Sequence, residues 1–215
     1  MRQLVWMLTV AGLLMGTVLA QEKAPEEGDA SAVTGSQQHD YASLRNVSLS
    51  LDDFEVRARD GRRMRVSELV KEGKIVLLHF FATFCHNSNY DVVTVNDLYR
   101  TYRDAGFTVV GISEYSTDAE LEKFAARHQP LYPLVAEEET GRKKTRHYRY
   151  RSRVGDDRKW GTPFNVVIDG REIDPQSGTI GRQVYVATGE LVRAEIESLI
   201  RRRLSEERGS RPDER

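Results

Sequence analysis

The chain has 215 residues, 39% of them hydrophobic and 30% charged, with a formal net charge of −1. That length fits one domain with a real core. The balanced charge removes any electrostatic case for nucleic acid as a partner, and a single cysteine, Cys85, excludes an internal disulfide.

Met1 to Ala20 reads as a secretory signal: Arg2 in a short basic start, an apolar stretch from Leu4 to Leu14, and Val18 and Ala20 suited to cleavage before Gln21. The stretch is short of the roughly 20 residues that span a bilayer, so membrane attachment is expected only if the signal stays uncleaved. Residues 21–46 are rich in Glu, Gly, Ala, Ser and Gln and are expected to form a disordered linker. The folded domain is expected over 47–204, and the charged residues 205–215 as a flexible tail.

Within the domain, Leu49 to Arg59 alternates loosely, turns at Asp60-Gly61 and resumes over Arg62 to Val66, which predicts a hairpin. Ser67 to Val70 is a short helical turn. Ile75 to Phe81 is a nearly unbroken apolar run, as in a strand buried on both faces. From His86 to Ala105, Val92, Val93, Val95, Leu98 and Tyr102 recur at helical spacing, and Gly106 ends the helix. Phe107 to Ile112 is a second buried strand. Thr117-Asp118-Ala119-Glu120 is a capping box for a helix that Pro130 stops. Strands are expected over Leu131 to Ala136, Phe164 to Ile168 and Gly181 to Tyr185, the last two paired. A final amphipathic helix is expected over Thr188 to Leu204. The alternation predicts an α/β fold, a central mixed sheet flanked by helices.

Cys85 falls where a buried strand ends and an amphipathic helix begins. A thiol at a helix N-terminus is favoured as thiolate by the dipole and the unpaired N–H groups. The surrounding residues, Phe81-Ala82-Thr83-Phe84-Cys85-His86-Asn87-Ser88, resemble the active-site turn of thioredoxin-fold proteins. The likeness is to the exported TlpA/ResA-type thioredoxins of bacteria and the related redoxin/AhpC-TSA group, whose motif reads Trp-Ala-x-Trp-Cys-x-x-Cys. Gly161-Thr162-Pro163, followed by an apolar strand and Asp169-Gly170, is similar to their cis-proline loop.

The resemblance implies a nucleophilic Cys85, a cis Pro163, and Thr162 and Phe84 beside a bound substrate segment. His79 stands where thioredoxins keep a buried acid, so that acid is expected to be missing. Ser88 replaces the resolving cysteine. A hydroxyl can hydrogen-bond a thiolate but cannot attack a mixed disulfide, so the chain alone cannot complete a dithiol cycle. His86, when protonated, would support the Cys85 thiolate. A neutral His79 would be the nearest candidate to accept its proton. The basic run Arg142 to Arg153 reads first as a solvated helix face, and second as a positive rim for an acidic partner.

The implied activity is a monothiol thiol-disulfide oxidoreductase in a bacterial periplasm or outside the cell, acting on protein thiols and disulfides or on a small thiol. A redox-inactive binding module using the proline groove stays open. So does a one-cysteine peroxidase, although Leu78 and Ala82 occupy the spacings where its proline and threonine belong. No cofactor is expected, and the scattered histidines lack metal-ligand spacing.

Overall fold

A computed structural model describes residues 39–138 and 141–209, with side chains through 206. The expected signal (1–20), the first part of the expected linker and the last tail residues lie outside the described residues.

In chain order the elements are β1 (Tyr41–Ala42), β2 (Arg45–Asp52), β3 (Glu55–Ala58), β4 (Arg63–Arg65), α1 (Val66–Val70), β5 (Ile75–Phe81), α2 (His86–Tyr102), β6 (Phe107–Ser113), α3 (Asp118–His128), β7 (Leu134–Glu137), α4 (Arg146–Arg153), β8 (Phe164–Asp169), β9 (Thr179–Ala187), β10 (Glu190–Leu191) and α5 (Arg193–Gly209). Eight strands form one sheet in the order β2-β9-β8-β5-β6-β7-β3-β4, and β1 pairs in parallel with β10. The centre is mixed: β5, β6 and β7 run parallel, while β8 and β9 run antiparallel beside them.

The strand β5 is buried at every position, because both faces are covered. Ile75, Leu77 and Phe81 point to one side, where they meet Val92, Val95 and Leu98 of α2, Leu121 and Phe124 of α3, and Ile196 and Ile200 of α5. Val76, Leu78 and Phe80 point to the other, into a cluster with Val66, Val70, Tyr150 and the β8–β9 valines. Period-2 alternation divides one apolar run between two cores. Full burial of each such side chain contributes about 1.5–3 kcal/mol. His79 breaks the first row, completely buried beside Phe81 at 5.6 Å between ring centroids.

Several features differ from expectation: β7 starts at Leu134, leaving Leu131 exposed, β9 extends over Thr179–Ala187, and Val93 of α2 faces outward. The residues at the end of the expected linker are ordered: Tyr41–Ala42 and Arg45–Asp52 are strands. Leu49 and Leu51 do not belong to the hairpin. The hairpin is β3 with β4, whereas β2 crosses to the far edge and pairs with β9. Finally α5 begins at Arg193, after the short β10, and runs on to Gly209 through residues expected in the tail. The capping box of α3 is closed in both directions between Thr117 and Glu120, and Gly106 adopts the left-handed conformation (φ 108°) after α2.

Candidate active site

The buried strand β5 ends at Phe81, and a short turn carries the chain to Cys85, the residue that caps α2. The turn is closed by the Cys85 N–H donating to Ala82 O at 3.0 Å. Asn89, one helical turn on, ties the segment together. Its Nδ2 donates to Thr83 O (3.0 Å) and Cys85 O (2.8 Å), and its Oδ1 accepts from His128 Nε2 (2.8 Å). Cys85 is half-buried and unpaired. Its thiol donates to Thr162 O at 3.3 Å, and the Thr162–Pro163 peptide bond is cis. Strand β8 begins directly after this bond, so the central sheet aligns both segments.

Ser88, three residues after Cys85, is fully buried, and its Oγ accepts from Ala82 N at 3.4 Å. It braces the turn. The His86 ring lies against Tyr90 (4.7 Å) and His39 (6.0 Å), and its Nε2 is buried with no partner. His79 Nδ1 donates to Asn165 Oδ1 at 2.8 Å and lies 3.6 Å from Asp91 Oδ2, while its Nε2 has no partner. The structure thus joins His79 to Asn165 and Asp91, not to Cys85.

A buried acid is present after all, supplied by the helix and not by β5. Asp91 of α2 accepts from Asn165 Nδ2 (2.7 Å) and from Leu191 N (2.9 Å). Burial pushes its carboxyl above the usual range, with His79 and the two N–H donors pulling the other way. A second buried acid, Glu114, follows β6. Neither of its oxygens has a hydrogen-bond partner in the structure. Burial first, and then the neighbouring Glu137 carboxyl, hold its pKa well above the ordinary glutamate value. Glu137 itself accepts from the N–H groups of Arg146 and His147 at the start of α4.

His147 links this pair to the proline loop. Its Nε2 lies 3.0 Å from Gly161 O and its Nδ1 3.0 Å from the Tyr115 hydroxyl. Burial pushes the imidazole down to about 3, so it is neutral. The carbonyl can only accept, which fixes the proton on Nε2 and leaves Nδ1 to accept from Tyr115.

The basic run is not a simple solvated face. Arg151 is buried and donates through Nη1 to Asp156 O (3.0 Å) and Arg158 O (2.7 Å). It shapes the segment that leads to Gly161. Arg158, outside the expected run, donates to Asp156 and to Pro163 O (3.2 Å) and reaches Asp40 at 3.4 Å. Burial works against its charge, but Asp156, Asp40 and the Cys85 sulfur together hold its pKa above the usual arginine value. Through Pro163 O, Arg158 is tied to the same loop whose Thr162 O accepts from the thiol. Arg142 and Lys159 lie over the Trp160 ring, at 5.9 and 5.4 Å from its centroid.

Cys85, Thr162, Pro163, Phe84 and Ser88 thus gather at one end of the sheet, with His86 at their rim and His79 in the core below. Asp91, Glu114, Arg158 and Trp160 escaped the sequence reading. Asp91 had a signal, since it lies three residues after Ser88 and four before Val95 and so falls on the buried face of the helix. Chemically, the arrangement is a half-exposed sulfur at a helix N-terminus, hydrogen-bonded to the carbonyl that precedes the cis proline.

A model of the AhpC/TSA family matches residues 47–173. Among curated proteins, the thiol-disulfide oxidoreductase ResA of Geobacillus thermodenitrificans is 28% identical over 89 residues, 41% of this chain and 50% of that protein. The chain spans about half the length of the curated relatives it matches. Among solved structures, a thioredoxin-family thiol:disulfide interchange protein from Chlorobium tepidum aligns with a TM-score of 0.53 at 21% identity, over 74% of this chain and 97% of that one. A thiol:disulfide interchange protein from a Bacteroides species aligns with a TM-score of 0.54 at 15% identity, over 74% and 90%. These two likenesses show the thioredoxin fold.

Proposed function

The chain belongs to the AhpC/TSA family and has a ResA/TlpA-like thioredoxin fold, and from that premise we propose that it is an exported thiol-disulfide oxidoreductase working through Cys85 alone. The observation that carries this reading is the placement of Cys85: half-exposed at the start of α2, with its sulfur 3.3 Å from Thr162 O at the cis Pro163.

The Cys85 thiolate attacks one sulfur of a substrate disulfide. A Cys85–substrate disulfide forms, the substrate S–S bond breaks, and the other substrate sulfur leaves as thiolate. Arg158 opposes the negative charge on Cys85 before the attack. Ser88 has no sulfur to displace the substrate, so an external thiol attacks the mixed disulfide and regenerates Cys85. The Thr162 backbone and Phe84 border the position of the substrate segment. The signal-like residues 1–20 and the ResA relatives support a periplasmic or extracellular location, in an oxidising compartment.

The experiment is trapping. Incubated with extracytoplasmic extract and resolved without reductant, the wild-type protein should give discrete disulfide-linked species that dithiothreitol removes. Cys85→Ser should give none. Identical patterns from the two proteins, together with full complementation by Cys85→Ser, would sink thiol chemistry and leave a binding module on the same fold.

A further inference from the structure

Exposed apolar surface is concentrated around the thiol. Among the described residues six large apolar side chains are exposed, and four of them, Tyr41, Phe84, Tyr90 and Trp160, belong to two ring clusters that include the chain neighbours of Cys85, Phe84 and His86. On one side Phe84 meets Trp160 edge to face at 5.7 Å, and Tyr115 tilts against the same indole at 5.3 Å. On the other side His39 packs edge-on to Tyr90 at 4.1 Å and stacks on Tyr41 at 5.6 Å, with His86 alongside. Rings on a monomer's surface gain nothing from water, and a cluster of them rimmed by polar groups marks a contact surface.

The charges in contact with the first cluster are positive. Arg142 and Lys159 both lie over Trp160, and no carboxylate among the described residues pairs with either. Arg142 is held in place by donating to Lys159 O at 2.7 Å. On the far side of Phe84 a cleft of about 250 Å³ separates the active-site turn from α3, with Lys123 and Arg127 at its edge and Glu120 as the sole acid lining it.

We propose that the partner of Cys85 is an extended polypeptide, not a small thiol, and that it carries an aromatic side chain and a carboxylate next to its own cysteine. The proposal rests on thiol exchange at Cys85 and names its substrate. The aromatic side chain packs on the Phe84–Trp160 pair, and the carboxylate answers Arg142, Lys159 and the cations of the cleft. Glutathione has no ring to place there.

The test compares rates of Cys85 adduct formation, followed by mass, with symmetrical disulfides of three kinds: a peptide with Phe and Glu beside its cysteine, the same peptide with Ala and Lys, and oxidised glutathione. The Phe/Glu peptide should react about tenfold faster than the other two at low salt, the order expected of one aromatic pair and one screened charge. In Trp160→Ala the ratio of the Phe/Glu peptide to glutathione should fall towards one, while the thermal unfolding profile shows the variant folded. Equal rates with all three disulfides in the wild type would overturn the proposal and leave thiol exchange intact. No adduct from any disulfide would remove both the proposal and the oxidoreductase reading beneath it.

Discussion

At the residue scale, the question is what makes the Cys85 sulfur a nucleophile when its chain offers no second thiol. Two features stand beside it: the start of α2, and the Arg158 guanidinium, which donates to Pro163 O next to the Thr162 carbonyl that accepts from the thiol. An opposite charge near a thiol favours the ionised form, although partial exposure discounts the effect. Arg158→Gln should therefore slow iodoacetamide alkylation of Cys85 at neutral pH by about threefold or more, and Arg158→Lys should keep most of the rate. Equal rates in all three proteins would leave the helix terminus as the sole device. The position of the sulfur at a strand-to-helix junction was legible in the sequence, because a buried run ends and a helical period begins around it. Arg158 was not, since one arginine among Asp156, Asp157 and Lys159 reads as surface charge until the fold brings Pro163 O and Asp40 to it. Glu114 was equally silent: nothing in Ser113-Glu114-Tyr115 tells a buried carboxyl from a solvated one.

At the element scale, α4 holds the proline loop from behind. His147 donates to Gly161 O, and the Arg151 side chain lies across the Gly161 Cα. Gly161 sits at φ +65°, and a Cβ there would come within 2.6 Å of three Arg151 atoms. Gly161→Ala should destabilise the protein by about 1–3 kcal/mol through backbone strain and the clash, read from urea unfolding. It should also change the alkylation rate of Cys85, because Thr162 O moves with the loop. A variant with unchanged stability and unchanged thiol reactivity would mean that α4 does not grip the loop. The elements nearest the thiol were the most legible ones. Strand β5, helix α2 and the capped start of α3 each carry an unambiguous local signal: a continuous apolar run, a helical period, a reciprocal cap. Strand β2 was less so, since alternation reveals a face but not a partner, and its partner β9 lies more than a hundred residues away. The entry strand β1 has only two residues, in a region whose composition reads as linker.

At the scale of the whole molecule, buried titratable groups set how stability follows pH, and they pull in opposite directions. His147 is neutral when folded down to about pH 3, whereas an unfolded histidine takes up a proton near about pH 6.5. Its contribution is therefore intact above that value and lost as pH falls towards 3. Burial raises the folded pKa of Glu114 well above the usual glutamate value, so its contribution is present in acid and is lost as pH rises beyond about 4.3. Glu114→Gln should accordingly gain stability over wild type with rising pH, and His147→Gln should gain with falling pH. Each slope is bounded at about 1.4 kcal/mol per pH unit. Denaturant unfolding from pH 4 to 8 separates them, and parallel curves for wild type and both variants would disprove the assignment. The docking of β1 onto β10 places the start of the described chain beside the active-site turn. It brings His39 against the His86 and Tyr90 rings and Asp40 to Arg158, so the chain enters the domain at the rim of the thiol. At the other end α5 sets Arg203 near Asp169, which pairs with Ile75 at the start of β5, the end of the sheet remote from Cys85. A label, bead or fused domain carried on the carboxyl terminus leaves the reactive face open, whereas the same cargo joined at residue 39 stands in the doorway.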